Sequence, residues 1–459
     1  MLDMTKYTHI HCIGIGGIGL SAVAEIFANK GFKVSGSDMK LSDVTDHLVS
    51  KGITVFHGHA AENIEGADIV VYSAAVSPEN PEIVAAKEKG IMLATRAEAL
   101  GALMDQYPTS IAVSGTHGKT TTTSMVSLIL ENAGTDPTIL VGGNLPEFNG
   151  NAKIGNSDFF VTEACEYMDS FLSLRPKVEI ILNIDSDHLD YFKDIDHIVN
   201  SFDSFSKLVP EDGYIVAYES NPFVARVIKD LNTNIVTFGF TDNSTYCAKN
   251  IEFDSNGYPE YDVYNEGNCL CRVHLSVPGE HNIANSLAAF ATSHILGVQP
   301  EVIVETLRKF KGTQRRFDIY GVTENEVKVI DDYAHHPTEI KATLSAAKNM
   351  PHNRLWCLFQ PHTYTRTMAL FNEFAGAFND ADVLVMAEIY AAREKNIYKI
   401  SSKSLIDEIG KQQPEKEAYY FATLEEIAAF VKENAQPGDV VITMGAGDIF
   451  KVAEMLMQK

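Results

Sequence analysis

Short runs of apolar residues alternate with helical stretches along most of the chain. In the N-terminal part, four such runs cover residues 9–15, 33–37, 69–73 and 91–93. Strands that are apolar at every position are buried on both faces, as in a parallel sheet that is covered by helices. The pattern therefore predicts a parallel α/β domain at the start of the chain.

A second region begins after Pro108 and combines two kinds of pattern. Continuous apolar strands are predicted over residues 111–113, 159–163, 179–183 and 213–217. Residues 246–277 instead alternate polar and apolar positions around an Asn-Gly turn, which predicts antiparallel strands. Two predicted helices, over residues 283–296 and up to residue 310, close this region.

A third α/β pattern starts at Arg315. Its predicted strands cover residues 328–331, 354–359, 383–386, 419–421 and 440–443. A chain of 459 residues is too long for one hydrophobic core, so its length agrees with several domains. We expect three α/β domains.

Composition and charge restrict the classes of function. The formal net charge of −24 disfavours binding to nucleic acid or to an anionic membrane. Six cysteines are too few for a disulfide framework, and no apolar run is long enough to span a bilayer. The polar N-terminus lacks the layout of a signal peptide. These features predict a cytoplasmic protein, with no nucleic-acid partner and no membrane association.

The most specific motif lies at residues 110–123, where an apolar run ends at a glycine turn and a threonine-rich helix begins. Such a unit presents backbone N–H groups and the positive end of the helix dipole to an anion. Lys119 adds a charge for the outer phosphates, and Thr120 adds a hydroxyl for Mg²⁺. The loop reads G-x-x-G-K-T, because Val113 stands where the common pattern has its first glycine. We interpret it as a nucleoside triphosphate loop, with an ordinary strand–helix turn as the alternative.

A second glycine turn, GIGGIG at residues 14–19, follows the first predicted strand. With Asp38 downstream, it fits the G-x-G-x-x-G pattern of dinucleotide-binding folds. Read alone, this motif predicts NAD binding, and a merely tight turn is the alternative. Because hydride chemistry has no use for a triphosphate loop, we expect the turn to bind a diphosphate-bearing substrate. Asp38 would then contact a ribose or a base.

Candidate metal ligands follow two strands of the second region. Glu163 ends one predicted strand, with Glu166 three residues later, and His188 follows the next strand. Because the carboxyl ends of parallel strands share one edge of a sheet, we expect these side chains and Thr120 to converge. Oxygen and imidazole ligands beside a phosphate suit one or two Mg²⁺ ions. The choice between Glu163 and Glu166 stays open, and a surface loop is the alternative for His188.

Polar residues also mark the start of the helix predicted at residues 283–296. His281, Asn282 and Asn285 lie there, where they either recognise an adenine edge or cap the helix. Arg316 follows at the joint with the third region, where its planar donor fork suits a γ-phosphate. A solvated basic pair with Arg315 is the alternative.

Two polar motifs follow apolar strands of the third region and so fall at its sheet edge. One contains Asp332, His335 and His336, and the other contains Arg366. The guanidinium of Arg366 is suited to bind a carboxylate of the ligand, and the other residues are suited to bind its amine. Together they predict a site for a small zwitterion, with polar loop caps as the alternative.

In chain order, these motifs closely resemble those of the Mur ligases of peptidoglycan synthesis. The matching blocks cover nearly the whole chain and read GIGGIG, GTHGKT, EACE, DH, GEHN, RRF, DYAHHP and QPH. The resemblance implies a UDP-binding Rossmann-like domain, a central P-loop ATPase domain with the small antiparallel section, and a C-terminal Rossmann-like domain for the amino acid. The expected ranges are residues 1–107, 108–313 and 314–459.

The resemblance also implies an activity, since the chain is most similar to the alanine-adding branch of the family. In that branch, ATP drives amide formation between L-alanine and the lactyl carboxylate of UDP-N-acetylmuramate, through an acyl phosphate. ATP and Mg²⁺ are thus the expected cofactors, and the sugar nucleotide and L-alanine are the expected partners. We expect a monomer or a weak homodimer.

Residue roles follow from the matching blocks. The expected substrate contacts are Gly14, Gly16, Gly17, Ile18, Gly19, Ser37, Asp38, Ser73, His335 and Arg366. The expected ATP contacts are Gly115, Thr116, His117, Gly118, Lys119, Thr120, Thr121, His281, Asn282, Asn285 and Arg316. The expected metal ligands are Thr120, Glu163, Glu166 and His188. The expected catalytic residues are Lys119, His188, Arg316, Asp332, His335, His336 and Arg366, with His335, His336 or Asp332 as the base for the alanine amine.

Two positions depart from the family pattern. Some members have an arginine at the position of Thr363, in a loop that meets alanine, so only Arg366 is transferred. Several sister ligases carry a carbamylated lysine where this chain reads Phe-Asp-Ser at residues 202–204, so none is expected here. Three alternatives remain: a ligase that attaches a recycled murein tripeptide, an NAD-dependent oxidoreductase, and a partner-binding nucleotide switch.

Overall fold

The computed structural model describes residues 2–73, 75–148, 150–189 and 191–458. Within these ranges the strands form three sheets, and each sheet lies inside one of the three expected segments of the chain. Helices cover the sheets, as buried strands require. The predicted three-domain α/β architecture is confirmed.

The N-terminal sheet consists of five parallel strands. They are β1 (His9–Ile13), β2 (Lys33–Asp38), β3 (Thr54–His57), β4 (Ile69–Tyr72) and β5 (Met92–Thr95). The helices are α1 (Ile18–Asn29), α2 (Asp43–Ser50), α3 (Pro81–Lys89) and α4 (Arg96–Met104). The spatial order β3-β2-β1-β4-β5 reverses direction at β1. The glycine turn that follows β1 therefore lies at the switch point, where ligands of such sheets bind.

The central sheet has ten strands and contains the phosphate loop. Its strands are β6 (Thr109–Ser114), β7 (Thr138–Leu145), β8 (Gly150–Lys153), β9 (Phe159–Glu163), β10 (Val178–Ile181), β11 (Tyr214–Tyr218), β12 (Asn234–Gly239), β13 (Tyr246–Phe253), β14 (Pro259–Asn265) and β15 (Asn268–His274). Its helices are α5 (Lys119–Asn132), α6 (Ile195–Ser206), α7 (Pro222–Ile228), α8 (Glu280–Ile295) and α9 (Pro300–Lys309).

The order of this sheet is β15-β14-β13-β12-β11-β10-β6-β9-β7-β8. Strand β6 pairs in parallel with β10 on one side and with β9 on the other. The carboxyl ends of these three strands lead to the phosphate loop, to Glu163 and to the loop that contains His188, so they meet at one edge. The last three strands are antiparallel, as predicted from residues 246–277.

The C-terminal sheet has six strands and its own helices. The strands are β16 (Asp318–Val322), β17 (Lys328–Asp332), β18 (Leu355–Phe359), β19 (Val383–Ala387), β20 (Glu417–Phe421) and β21 (Val440–Met444), in the order β16-β17-β21-β18-β19-β20. The helices are α10 (Pro337–Lys348), α11 (Tyr364–Ala369), α12 (Phe371–Ala375), α13 (Ser402–Gln412), α14 (Leu424–Asn434) and α15 (Phe450–Met457). All strands are parallel except β16 at the edge.

Five strands were not predicted from the sequence, and in most of them the apolar positions are few or interrupted. Strands β3 and β16 are only partly buried, and the edge strand β8 reads Gly-Asn-Ala-Lys. Two glycines, Gly142 and Gly143, interrupt the apolar positions of β7, and polar residues interrupt β12.

The first two domains share one apolar cluster, whereas the third domain has its own. The shared cluster runs from β1 and α4 to Phe160, Phe171 and Phe205 of the central domain. Two separate clusters lie on the two faces of the C-terminal sheet, and Leu189 of the central domain packs at the edge of one of them. Among the described residues, no helix combines the length and apolar character needed to cross a membrane.

Candidate active site

The phosphate loop joins β6 to α5 and is packed closely against α8. Gly115 and Gly118 have positive φ angles of +131° and +88°, a region that favours glycine. A Cβ at Gly118 would also lie 2.5 Å from Oδ1 of Asn285. Both glycines of the short motif are therefore required by the path of the backbone.

Lys119 is held inside this loop by its own carbonyls and by a carboxylate. Its Nζ donates to the carbonyl oxygens of Gly115 and Thr116, at 2.5 and 3.0 Å. It also donates to both oxygens of Glu166, at 3.2 and 2.9 Å. Burial opposes the charge of Lys119, but Glu166 outweighs burial and raises its pKa above the usual value. The loop therefore carries a fixed positive charge.

The predicted metal ligands lie around this lysine. Both oxygens of Glu166 are bonded to Lys119, and Nε2 of His188 lies 4.0 Å from Oε1 of Glu166. Glu163 accepts the backbone N–H of Gly142 at 2.6 Å and contributes to the field at Lys119. A carboxylate, a hydroxyl from Thr120 and an imidazole form a donor set that suits Mg²⁺. Because both oxygens of Glu166 are already bonded to Lys119, Glu163 is the better candidate for direct metal contact.

A cavity of about 510 Å³ separates the central domain from the third domain. Among the residues predicted to bind ATP, it is lined by His117, Gly118, Thr121, His281, Asn282, Asn285 and Arg316. One wall is aromatic and is formed by Tyr218, Phe223, Phe238 and Phe240, which no sequence motif had indicated. An apolar wall opposite polar side chains and next to a phosphate loop suits a nucleoside.

The polar residues at the start of α8 do not cap the helix. The N-cap residue is Gly279, and no side chain caps this end of the helix. Asn282 instead donates to the carbonyl of Pro278 at 2.7 Å, and Asn285 donates to Oδ1 of Asn282 at 3.0 Å. Burial lowers the pKa of His281 to about 4, so this imidazole is neutral.

The N-terminal glycine turn is fixed by Asp38 and by the backbone of Ser37. The N–H groups of Gly14 and Ile15 donate to the carbonyl of Ser37, and Gly16 N–H donates to Oδ2 of Asp38 at 2.9 Å. The other oxygen of Asp38 accepts from Lys40 N–H. Asp38 therefore shapes the turn in this structure, and its contact with a ribose or a base stays a prediction.

The hydroxyl of Ser37 does not lie where a substrate contact requires it. Its side chain is fully buried, donates to Oε2 of Glu82 at 2.6 Å and lies 2.9 Å from Nδ1 of His59. The hydroxyl is thus turned into the domain and is not available to a substrate. Ser37 supports the turn through Glu82 and through its own carbonyl.

The turn faces a cavity of about 360 Å³ that extends to the central domain. Gly17, Ile18, Gly19 and Ser73 line it from the N-terminal domain, and Glu163 and Cys165 line it from the central domain. Arg96, at the start of α4, also lines it, and a Cβ at Gly19 would lie 3.2 Å from its Nη1. Among the described residues, no carboxylate lies within ion-pair distance of Arg96. The cavity therefore combines a helix N-terminus with an uncompensated guanidinium, which suits a diphosphate.

The three candidate bases of the third domain differ in what their polar atoms contact. Both oxygens of Asp332 accept backbone N–H groups, from Phe317 at 2.8 Å and from Ala334 at 2.7 Å. Both ring nitrogens of His336 are used, since Nε2 lies 3.0 Å from the carbonyl of Ser186 and Nδ1 accepts from Thr338 N–H. His335 is therefore the best supported of the three predicted bases, and Asp332 and His336 remain predictions.

His335 has the properties of a base. Its Nδ1 lies 2.9 Å from the carbonyl of Tyr333, which only accepts, so the proton is on Nδ1 and Nε2 carries the lone pair. Burial lowers the pKa of His335 to about 4, which keeps the ring neutral at physiological pH. Burial likewise lowers the pKa of neighbouring His362 to about 4.

Arg366 joins the two domains in this structure. Its Nε and Nη2 donate to Oδ1 of Asp187, at 3.3 and 3.2 Å, and its Nη1 lies 3.4 Å from Nδ1 of His362. Arg366 and His188 outweigh burial and hold the pKa of Asp187 well below its usual range. Arg316, in contrast, lies 3.9 Å from Glu339 and faces the nucleotide cavity.

Comparisons with known proteins agree with this arrangement over the whole chain. Family models match the Mur ligase family catalytic domain at residues 9–108, the Mur ligase middle domain at residues 113–293 and the Mur ligase glutamate ligase domain at residues 315–447. The chain is 50% identical over 456 residues to UDP-N-acetylmuramate--L-alanine ligase of Alkaliphilus metalliredigens, covering 99% of this chain and 98% of that protein. The chain belongs to the Mur ligase family.

Solved Mur ligase structures have the same fold. UDP-N-acetylmuramate-alanine ligase MurC from Thermotoga maritima superposes with a TM-score of 0.81 at 31% identity, and 98% of each chain is covered. A murein peptide ligase from Psychrobacter arcticus gives a TM-score of 0.72 at 27% identity, again with 98% of each chain covered.

Several residues of this Mur ligase site had not been found from the sequence. Arg96, Asp185 and Glu339 are single charged residues outside any glycine or histidine motif that we had used. Asp185 and Glu339 do lie two to three residues from the DH and HHP blocks, and this proximity is the feature of the sequence that could have indicated them. Their partners are distant in sequence, so the fold was needed to pair them.

Proposed function

We propose that this Mur ligase is an ATP-dependent enzyme that joins L-alanine to the lactyl carboxylate of UDP-N-acetylmuramate. Residues 1–107 would bind the sugar nucleotide, residues 108–313 ATP, and residues 314–459 the amino acid. One observation carries the proposal: the phosphate loop lies between a cavity suited to a diphosphate and a domain that presents a neutral, partly buried histidine. The identity to alanine ligases over nearly the full length supports the choice of amino acid.

The first step would be phosphorylation of the lactyl carboxylate. The carboxylate oxygen attacks the γ-phosphorus of ATP, ADP leaves, and an acyl phosphate forms. Since both reactants are anions, neutralising their charge is the main task; Arg316, which lines the nucleotide cavity, and Lys119 of the phosphate loop would do so. Mg²⁺ held by Thr120, Glu163 and His188 would supply further positive charge to the phosphate oxygens.

The second step would be attack by the alanine amine. The ammonium group transfers a proton to Nε2 of His335, the amine attacks the acyl carbon, and the tetrahedral intermediate expels phosphate, which takes the second proton of the nitrogen and leaves the amide. Arg366 would orient the alanine carboxylate through Nη1, since its other nitrogens are bonded to Asp187.

We further propose that the protein acts in the cytoplasm as a monomer or a weak homodimer. All six cysteines are free, which suits a reducing compartment. The NAD-dependent and nucleotide-switch alternatives have lost support, because the chain matches Mur ligases over all three domains.

The test is release of phosphate from ATP with Mg²⁺ and UDP-N-acetylmuramate, with different amino acids. We expect L-alanine to stimulate release at least tenfold over glycine, L-leucine or no amino acid. A murein tripeptide that stimulates release better than L-alanine would favour the sister-ligase alternative. If neither compound stimulates release, the proposed function is wrong.

A further inference from the structure

Glu339 connects the third domain to the phosphate loop of the central domain. It is the third residue of α10, and its Oε2 accepts the backbone N–H groups of His335 and His336, at 3.0 and 3.3 Å. Its Oε1 lies 3.3 Å from Nδ1 of His117, in the middle of the phosphate loop. One carboxylate therefore caps a helix of one domain and contacts the loop of another.

His117 is enclosed by two carboxylates from the two domains. Its Nε2 lies 3.4 Å from Oδ2 of Asp185, which belongs to its own domain, and its Nδ1 faces Glu339. Its backbone N–H and carbonyl are both bonded to the side chain of Asn183. Burial disfavours the charged ring, but the two carboxylates outweigh burial and raise the pKa of His117 to about 9. The loop thus contains a second cation besides Lys119.

The surroundings of His117 support an ion cluster and not a metal site. The groups that face it are Asp185, Glu339, Asp187 and the ring of His336, whose centroid lies 4.8 Å away. Ligand atoms of His117, Asp185 and His336 lie within 4.8 Å of one another. However, His117 is held as a cation, and Nε2 of His336 donates to a carbonyl, so neither ring offers a lone pair to a metal.

Only one of the two carboxylates depends on how the domains are arranged. Asp185 belongs to the central domain, whereas Glu339 reaches His117 because the third domain is docked. This docking relies on polar pairs, such as Arg366–Asp187 and Thr338–Asp185, since the main apolar clusters of the third domain are its own. The charge beside the loop therefore changes when the third domain moves away.

We propose that Glu339 is a positioning residue that couples docking of the third domain to the phosphate loop, by holding His117 as a cation at the nucleotide cavity. The proposal rests on the proposed function for its substrate, a nucleoside triphosphate. Because Asp185 stays beside His117 when the third domain moves away, docking of Glu339 does not create this charge but extends it to higher pH, and so favours ATP binding when the amino-acid domain is in place. Such coupling would limit wasteful hydrolysis.

The experiment compares wild type with Glu339→Gln. A glutamine oxygen still accepts the two backbone N–H groups, so the helix cap is retained while the charge is lost. We expect the pH above which phosphate release declines to fall by about one unit, so that kcat is reduced several-fold near pH 9 and little changed at pH 7. The affinity for a non-hydrolysable ATP analogue, measured by calorimetry from pH 6.5 to 9.5, should decline at a pH about one unit lower than in wild type.

A matched control separates this effect from loss of a helix cap. Glu426 is the third residue of α14 and accepts the N–H groups of Ala422 and Thr423 at 3.2 and 3.1 Å, away from the cavity. Glu426→Gln should keep the wild-type kcat and the wild-type pH dependence of analogue binding. In a His117→Asn background, Glu339→Gln should have no further effect on the pH dependence of analogue binding, because the titrating ring is absent.

Two results would overturn the coupling. One is identical pH dependence of analogue binding in wild type and Glu339→Gln, and the other is additive effects of the His117 and Glu339 substitutions. Both are measured on nucleotide binding, so they hold even if no ligase activity is detected. Absence of alanine-stimulated phosphate release in wild type would instead refute the proposed function.

Discussion

Each of the two glycine turns has a fully buried carboxyl group behind it, and the two carboxyls are hydrogen-bonded very differently. Glu82 bonds to Ser37, whose carbonyl holds the N-terminal turn. Glu179 bonds to Ser114, which directly precedes the phosphate loop. Both side chains are inaccessible to solvent. The comparison shows how similar strand–turn–helix units are supported in two ways.

Glu82 is completely satisfied. Its Oε2 accepts from Ser37 at 2.6 Å and lies 3.3 Å from Nε2 of His11, while Oε1 accepts from Ala60 N–H and from Asn63 Nδ2 at 3.2 and 2.6 Å. Burial opposes its charge, but these partners outweigh burial and hold the pKa of Glu82 below its usual value. The N-terminal turn therefore rests on an ionised, rigid network.

Glu179 is only half satisfied. Its Oε1 accepts from Ser114 at 3.0 Å, but Oε2 has no hydrogen-bond partner within the described residues. Burial raises the pKa of Glu179 to about 8, so the group is protonated at physiological pH. The phosphate loop is thus supported by a neutral acid, and its own charges come from Lys119 and His117.

The difference reflects where each turn obtains positive charge. The phosphate loop contains its cations, each of which is already paired with a carboxylate, and a further buried anion behind the loop would weaken their field. The N-terminal turn contains none and takes its cation from Arg96 of α4, so an ionised Glu82 does not compete within the turn. Four substitutions test this comparison.

Lys119→Met should have the largest effect, because it removes a cation that belongs to the phosphate loop itself. We expect phosphate release to fall by at least about 1,000-fold. Lys153→Met is the control, since Lys153 also pairs with two carboxylates of the central domain, Glu131 and Asp136, at 2.6 and 2.7 Å. Residual activity above a few per cent of wild type in Lys119→Met would contradict the view that Lys119 supplies an essential charge of the phosphate loop.

Arg96→Gln should affect the other turn, because that turn depends on a charge from α4. We expect the KM for UDP-N-acetylmuramate to rise by about 100-fold, while the KM for ATP changes less than threefold. Steady-state kinetics with each substrate varied in turn gives both values. An equal rise in the two KM values would mean that Arg96 acts on the general structure and not on the turn.

Glu82→Gln should destabilise the N-terminal domain. The amide group would place a donor against Ala60 N–H or Asn63, so we expect a loss of about 2–2.5 kcal/mol in the free energy of unfolding at pH 7. Because the folded-state pKa is lowered, the contribution of Glu82 exists above about pH 4.5 and is lost as pH falls below it. The difference between variant and wild type, measured by urea denaturation, should therefore shrink on acidification. A difference that is independent of pH would contradict an ionised Glu82.

The sequence predicted the parts of the site that lie in motifs, because glycine, lysine and histidine at fixed spacing have few other uses. Gly115, Gly118 and Lys119 were found in this way, as was His335. Arg96 and Glu339 were not, since a single charged residue in a helix becomes informative only when the fold supplies its partner.

The sequence also predicted strands where apolar runs are continuous and missed strands that are half exposed, such as β3 and β16. Ser37 shows that a sequence motif can also suggest a substrate contact that the structure does not support. Its position in a strand beside the glycine turn is consistent with a substrate contact, but only the structure shows that its hydroxyl points inward to Glu82. Motifs therefore identify a turn more readily than the residues that support it.

Glu179→Gln should have the smallest effect, and its sign is opposite to that of Glu82→Gln. Because the folded-state pKa is raised to about 8, the folded state binds a proton that the unfolded state has lost, and stability falls as pH rises from about 4.5 to 8. A glutamine has no such proton, so the stability of the variant relative to wild type should increase by about 2 kcal/mol between pH 6.0 and 7.5. Thermal unfolding at both pH values measures this, with the exposed Glu65→Gln as control. A constant difference across this range would mean that Glu179 is already ionised, and the contrast between the two turns would be lost.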